Sequence, residues 1–461
     1  MRRRLLNFLH VLLVLVTFCC AMRLWQYYFS GVRLPIYHLL LLTFVANYVL
    51  RCLYLGRLWL PPPVLRLPVL VLWVSLVFSA LSYFLLDSRL APASTLQFTK
   101  GMLDLAFIVT GITCVICFLN EQPPAVSHRL LQVYILGAVA SSIYSFFEVS
   151  SAWFGHDLGR AIFGRLSFYG PDFDWSQSFY YEWDGFFRAV GFTGVNSQAT
   201  YTASVIPLLI LARPFRRQAV NLSLAAICFA GTVLTFSRNG FASLLVCLAF
   251  YAMMRPARAI RFLPRIVAIC VPVLLLALVF SDGARQMVSS RLYRSIEDIG
   301  HGRREIYASA WNSIKAHPFG HGLNQFSLVV LDTDEIDLSE IAPDYSRWSD
   351  LQLRQAYANL HNNWLNWLFE GGWLLFFSRI AYYASLLLVC WQARTDLGRA
   401  AVCSLGLLLL SGFFNMTLDL FSTELFFAIL PVCVVLAARA QPPGPAVPDP
   451  ALIGAHPLST C

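Results

Sequence analysis

His361 stands immediately before Asn362-Asn363-Trp364, where an apolar run begins that continues through Leu365 towards Cys390. A run of that composition reads as a helix, and a histidine at its mouth meets the positive end of the helix dipole, which disfavours imidazolium. The ring is expected to be neutral near pH 7 and able to accept a proton. Three arginines occupy comparable places. Arg188 precedes Ala189-Val190-Gly191-Phe192-Thr193-Gly194-Val195-Asn196, Arg238 lies in Thr235-Phe236-Ser237-Arg238-Asn239-Gly240, and Arg303 lies in Gly302-Arg303-Arg304-Glu305, with Arg304 an equal competitor. A guanidinium grips phosphate oxygens with a rigid bidentate fork and keeps its charge at low dielectric, so three facing one site suit a pyrophosphate. The competing reading is that each arginine anchors to lipid headgroups by snorkelling. Glu370 must face protein or water, because a carboxylate in lipid is costly, and its favoured role is as structural partner of a buried arginine.

The elements that must position these groups are membrane helices. Of the 461 residues 58% are hydrophobic and 13% charged, about half the charged share usual in soluble domains. About twelve runs are long and apolar enough to cross a bilayer, near 5–22, 34–54, 65–86, 102–119, 130–150, 196–212, 219–236, 240–254, 266–281, 362–392, 400–417 and 420–438. The expected fold is all-α, a polytopic transmembrane helical bundle with two long outer loops. The run after Met1-Arg2-Arg3-Arg4 is expected to be a retained first helix, since no small-residue cleavage site follows before Met22-Arg23.

A net charge of +9 raises the possibility of a nucleic-acid partner, and its distribution argues against one. Arg51/Arg57/Arg66, Arg213/Arg216/Arg217, Arg255/Arg258/Arg261/Arg265 and Arg394/Arg399 fall in every second loop, on the side that also holds Arg2 to Arg4 and Arg439. That is the positive-inside pattern, which puts both termini in the cytoplasm. The complementary loops, about 151–195 and 282–360, carry most of the carboxylates. On that outer side fall Arg188, Arg238, Arg303 and His361, so the chemistry is expected at an outer membrane surface.

The cysteines and carboxylates give no sign of a metal. The chain has 12 cysteines, most within apolar runs, where free thiols behave as small hydrophobes. Cys114-Val115-Ile116-Cys117 lacks a second ligand pair, and Asp172/Asp174 and Asp332/Asp334 lack the octahedral complement of a dedicated cation site. No metal and no cofactor are expected. Asp104, Glu148, Asp419 and Glu424 lie near the outer ends of their runs, where they could pair with the arginines, line a sugar-binding cleft or mark interfaces. Arg303 to Ala316 has Ile306, Ala310, Ser313 and Ile314 at helical spacing and stops at His317-Pro318, which predicts an amphipathic helix on the membrane. Gly320-His321-Gly322 predicts a tight turn after it, and Leu331 to Asp350 a mobile acidic loop or lid.

Four pieces of sequence, in order, carry a family resemblance. They are Arg188-x-x-Gly191-x-x-x-x-Asn196; Ser237-Arg238; Gly302-Arg303 with His317-Pro318-x-Gly320-x-Gly322-x-x-x-Phe326; and His361-Asn362-x-x-Leu365 ending in Glu370-x-Gly372. The pattern resembles the O-antigen ligase and polymerase superfamily, membrane glycosyltransferases of the GT-C type. Tyr307 and Val195 depart from it, standing where tryptophan and proline are commoner. The resemblance implies a glycan donor linked to undecaprenyl pyrophosphate, a glycan or lipid A-core acceptor, and membrane lipids as surroundings. It implies that Arg188, Arg238 and Arg303 or Arg304 hold the pyrophosphate and that His361 activates the acceptor hydroxyl, Arg188 and Arg238 sharing in catalysis. Asn196, Asn362, Glu370, Gly320 and Gly322 take supporting roles.

The organisation expected is N-terminal membrane helices and a first periplasmic loop over 1–187, a ligase- or polymerase-like core over 188–392 containing the 282–360 loop, C-terminal membrane helices over 393–440, and a disordered cytoplasmic tail over 441–461. The location implied is the bacterial inner membrane with a periplasmic active site. Ligase and polymerase remain open alternatives. A glycolipid flippase or transporter is a third reading, whose mark would be broken helices or charges at mid-bilayer.

Overall fold

The computed structural model of the chain describes residues 2–19, 26–29, 32–57, 60–84, 92–153, 181–183, 186–189, 191–192, 195–235, 307–323, 360 and 362–413, with scattered positions between 237 and 252. Helices dominate: α1 (Arg2–Cys19), α2 (Ile36–Leu55), α3 (Pro63–Phe84), α4 (Pro92–Asn120), α5 (Pro124–Trp153), α6 (Val195–Pro207), α7 (Gln218–Leu234), α8 (Asn363–Gln392) and α9 (Asp396–Gly412). A π-helical turn, Leu208–Ala212, extends α6, and residues 307–316 are also helical. Five segments are long and apolar enough to cross a membrane: Ile36–Leu55, Pro63–Ser82, Phe98–Asn120, Pro124–Ser151 and Asn363–Gln392. The protein is a multi-pass membrane protein. The runs near 266–281 and 420–438 lie outside the described residues, and that near 240–254 lies partly outside them.

Local chemistry sets the helix starts. Helices α3, α4 and α5 each begin at a proline, Pro63, Pro92 and Pro124, whose fixed φ suits the first turn and whose missing N–H costs nothing there. α9 begins after Thr395, whose side chain accepts from the Gly398 N–H at 3.0 Å. Once formed, a helix satisfies its own backbone groups, the condition for residence in lipid. Leu53, Phe84 and Leu103 are among many large apolar side chains left exposed, as expected of a surface that lipid covers.

Two short hairpins depart from an all-helical chain. β1 (Gln26–Phe29) pairs antiparallel with β2 (Val32–Pro35) between α1 and α2. β3 (Tyr181–Trp183) pairs antiparallel with β4 (Phe186–Arg188), with Tyr181 opposite Arg188.

The core lies where α3 packs on α8, α5 on α7, and α9 on α6 and α8. Without a hydrophobic driving force between them, membrane helices rely on close approach and polar contacts. Thr202 and Thr232 meet at 2.7 Å, as do Thr200 and Ser411, and a Cβ at Gly231 would lie 3.0 Å from the Ser142 backbone. Among the described residues a buried ion pair, Arg51 to Glu121 at 2.6 Å, joins α2 to the α4–α5 turn, and the Tyr48 hydroxyl donates to the same carboxylate at 3.1 Å.

Candidate functional site

The apolar run that His361 opens is not one straight helix. Trp367 stacks on Tyr383 with centroids 5.7 Å apart, and Trp364 meets Phe376 at 6.2 Å. Sixteen positions along an unbroken helix rise about 24 Å, so the first pair can touch only if the chain folds back between them. The break is Gly372, with φ 61° and ψ −161°, a conformation that essentially only glycine adopts. α8 therefore consists of a short helix, α8a (363–371), turned back along a longer one, α8b (373–392). The expectation of a single crossing over 362–392 is corrected accordingly. The visible sign was Gly371-Gly372 within an apolar run.

A break in a helix strands backbone groups, and a distant segment takes them up. The His321 N–H donates to the Phe369 carbonyl at 2.8 Å and the Gly322 N–H to the Glu370 carbonyl at 2.7 Å, capping the end of α8a. The Pro318 carbonyl in return accepts from the Trp373 N–H at 3.2 Å, capping the start of α8b. The tightness of this contact explains the glycines on both sides. Gly320 has φ 89°, and a Cβ there would lie 2.5 Å from the Glu370 carbonyl oxygen. A Cβ on Gly372 would collide with the Pro318 carbonyl oxygen. The motif around His317 to Gly322 and the motif ending at Gly372 are thus two halves of one joint.

The helix over 307–316 rests on the same joint. Ala310 and Ile314 are buried with Leu360, Leu368 and Phe369, so the apolar stripe expected to lie on the membrane faces α8a instead. The His317 N–H closes the helix on the Ser313 carbonyl at 2.9 Å. The His321 imidazole stacks on Phe369 at 4.4 Å and meets His317 at 4.6 Å, and its Nε2 lies 2.8 Å from the Ser313 hydroxyl. Burial, and to a lesser extent the neighbouring His317, push this imidazole down to about 4, so it is neutral at neutral pH.

A second joint organises the Arg188 segment. The Ala189 N–H donates to the Leu234 carbonyl at 3.0 Å, which sets the backbone next to Arg188 against the end of α7, four residues before Arg238. Gly191, at φ 61°, donates its N–H to Glu148 at 3.1 Å. The Phe192 N–H donates to the Ser141 hydroxyl at 3.0 Å, and that hydroxyl donates to Gln198 at 2.6 Å. The Phe192 ring stacks on Tyr144 at 4.8 Å. Glu148 is buried at 2% exposure, and its bond to Gly191 gives it a role outside those the sequence suggested, that of holding the loop that follows Arg188. Ser141 and Gln198 carried no sequence signal beyond being polar in apolar helices.

Of the residues expected to act, Asn362, Glu370, Gly320 and Gly322 lie in the segments of the first joint and the backbone of Arg188 lies beside the second. Asn362 is the N-cap of α8a, accepting from the Leu365 N–H at 3.0 Å, so His361 is the residue just before the cap; His361 itself lies outside the described residues. Arg238, Arg303 and Arg304 also lie outside them. Arg188 ends β4 and Asn196 is the second residue of α6, and their side chains are outside the description. Glu370 is half-buried beside the Gly372 break. Gly320 and Gly322 form the capping turn. Sequence reasoning passed over Arg379, a buried arginine on α8b whose guanidinium lies 5.9 Å from the Trp367 ring centre. An arginine within an apolar run was the available signal.

Residues 223–380 match the family model described as O-Antigen ligase. That stretch includes Arg238, Arg303, Arg304, the capping turn, His361 and Glu370, while Arg188 and Asn196 precede it. The match supports the O-antigen ligase and polymerase superfamily, a family of glycosyltransferase-like membrane enzymes. No curated protein matches the chain.

Proposed function

We propose that the protein transfers a glycan from undecaprenyl pyrophosphate to an acceptor sugar hydroxyl at the periplasmic face of the bacterial inner membrane, as an O-antigen ligase acting on lipid A-core. The observation that carries this reading is the family match over 223–380, the stretch that ends just past the Gly372 joint. In the reaction, His361 takes the proton from the acceptor hydroxyl as its oxygen attacks the anomeric carbon. The bond from that carbon to the pyrophosphate oxygen breaks, and undecaprenyl pyrophosphate departs. General-base help of this kind contributes roughly 10²–10⁴-fold. Arg188, Arg238 and Arg303 or Arg304 stabilise charge that grows on the leaving pyrophosphate, the role a divalent cation has elsewhere. A single displacement inverts the anomeric configuration.

The family match extends equally to a polymerase, in which the acceptor is a sugar of another lipid-linked repeat unit. A glycolipid transporter would show broken helices, and α8 has such a break. Its backbone groups are occupied by the 317–322 turn rather than offered to a substrate, and the match to a ligase family favours transfer.

The test is turnover of a lipid-linked glycan by the purified protein, with lipid A-core and lipid-linked repeat units offered as rival acceptors. His361→Ala should lose at least 100-fold in rate, transfer should persist in excess chelator, and the product linkage should be inverted. Wild-type rates in His361→Ala would remove the general base, and loss of activity in chelator would remove the metal-free mechanism.

A further inference from the structure

Between the segment that carries Arg303 and the helix that His361 precedes, the structure describes one compact contact, and a single side chain sits at its centre. The His321 imidazole is stacked on Phe369 of α8a at 4.4 Å, held from the side by His317 at 4.6 Å, and bonded through Nε2 to the Ser313 hydroxyl at 2.8 Å. The backbone N–H of His321 caps α8a at the Phe369 carbonyl. It is 5% exposed. A group so enclosed is better placed to hold its neighbours than to meet a substrate.

We propose that His321 is a positioning residue, which clamps the 307–316 helix onto α8a and thereby ties together the two stretches of chain that lead, within a few residues, to the arginines at 303 and 304 and to the base at 361. The inference rests on the functional reading above for what the clamp is for; the clamp itself is a matter of geometry. Its logic is that of a three-way tie. The Ser313 bond fastens the ring to the 307–316 helix, the ring stack fastens it to α8a, and the two backbone bonds at 321 and 322 fasten the turn to the break. Arg303 and Arg304 precede Tyr307 by four and three residues in the chain, so the tie acts close to them in sequence. At the other end, α8a is held by the 317–322 turn at its C-terminus and by Ala310 and Ile314 against its face.

Because the role is geometric rather than protolytic, the ring should be replaceable by a non-titrating group that keeps its hydrogen bond. The experiment compares full-length wild type, His321→Ala, His321→Gln and the milder Ser313→Ala in lipid nanodiscs. Two readouts are taken: amide hydrogen exchange over 307–323 and the steady-state parameters of glycan transfer. His321→Ala should speed exchange across 307–323 at least tenfold and lower kcat about tenfold or more with donor KM within about twofold, since misplacement by about 1 Å costs this much or more. Ser313→Ala should show the same pattern more weakly, and His321→Gln should restore most of kcat together with exchange protection. Unchanged exchange in His321→Ala and Ser313→Ala overturns the clamp. A Gln variant as slow as Ala, with protection restored, overturns the positioning role in favour of proton transfer. If wild type itself transfers no glycan while the exchange pattern follows the prediction, the clamp stands and the proposed reaction fails.

Discussion

The joint at the Arg188 segment and the joint at the α8 break are built from opposite materials. At the Arg188 segment, side chains from α5 hold a loop's backbone: Glu148 accepts from Gly191 and Ser141 from Phe192. At the α8 break, backbone holds backbone, through the Phe369, Glu370 and Pro318 carbonyls, and glycines are needed because nothing larger fits between the strands of the joint. The first arrangement fails when a polar side chain is removed; the second fails when any side chain is added. The comparison teaches where each segment's sensitivity lies, and it ranks the substitutions.

The largest effect is expected at Gly372. Gly372→Ala forces an alanine into a glycine-only conformation and drives its Cβ into the Pro318 carbonyl, a cost on the order of 3 kcal/mol or more. The thermal transition of the detergent-solubilised protein should fall and transfer should be lost; a stable, active Gly372→Ala protein would mean that the break is not needed. Next comes Glu148→Ala, which leaves the Gly191 N–H buried without its acceptor and should cost about 2 kcal/mol. It should also weaken donor binding by loosening the loop after Arg188, whereas Glu148→Gln, which keeps an acceptor oxygen, should recover most of both. Equal damage from the two would show that the charge matters rather than the hydrogen bond.

The smallest effect is on pH. Burial holds the His321 imidazole down to about 4 in the folded protein, against about 6.5 in an unfolded chain. The folded state therefore binds fewer protons in this window, and the stability involved is fully present above about pH 6.5 and is lost as pH falls towards 4. From pH 7 to pH 6 the loss is under about 1 kcal/mol. Thermal melts should show this slope in wild type and a shallower one in His321→Gln; parallel slopes would remove His321 as its source.

Much of this was legible in the sequence, and the parts that were not share a cause. Run length and loop arginines gave the helices, because apolar length and charge position are one-dimensional properties. The helix stop at His317-Pro318 was legible for the same reason, while the turn expected at Gly320-His321-Gly322 lies slightly earlier, closed by the Gly320 N–H on the His317 carbonyl. What escaped were partnerships across long separations. Gly371-Gly372 marks where the run from Leu365 to Cys390 could break, but not that it does, since the groups that make the break tolerable lie some fifty residues earlier. Glu148 was visible as an acid near a helix end, but its acceptance from Gly191 depends on how α5 meets the loop. The β3–β4 hairpin did have a local sign, Asp184-Gly185 between aromatic residues, a pair typical of two-residue turns.

The joint at Gly372 also sets an order of events in biosynthesis. As α8 leaves the ribosome it is a run of 30 residues, apolar enough to enter the bilayer as one continuous helix, and before the turn docks an unbroken helix is the form that satisfies its backbone. The partner segment, 317–322, has by then already been made and can act as a waiting template. Folding back is thus a step after insertion, coupled to docking of an earlier stretch of chain. Mutations in the turn should be felt first as slow maturation of newly inserted protein, even where the finished enzyme is little changed.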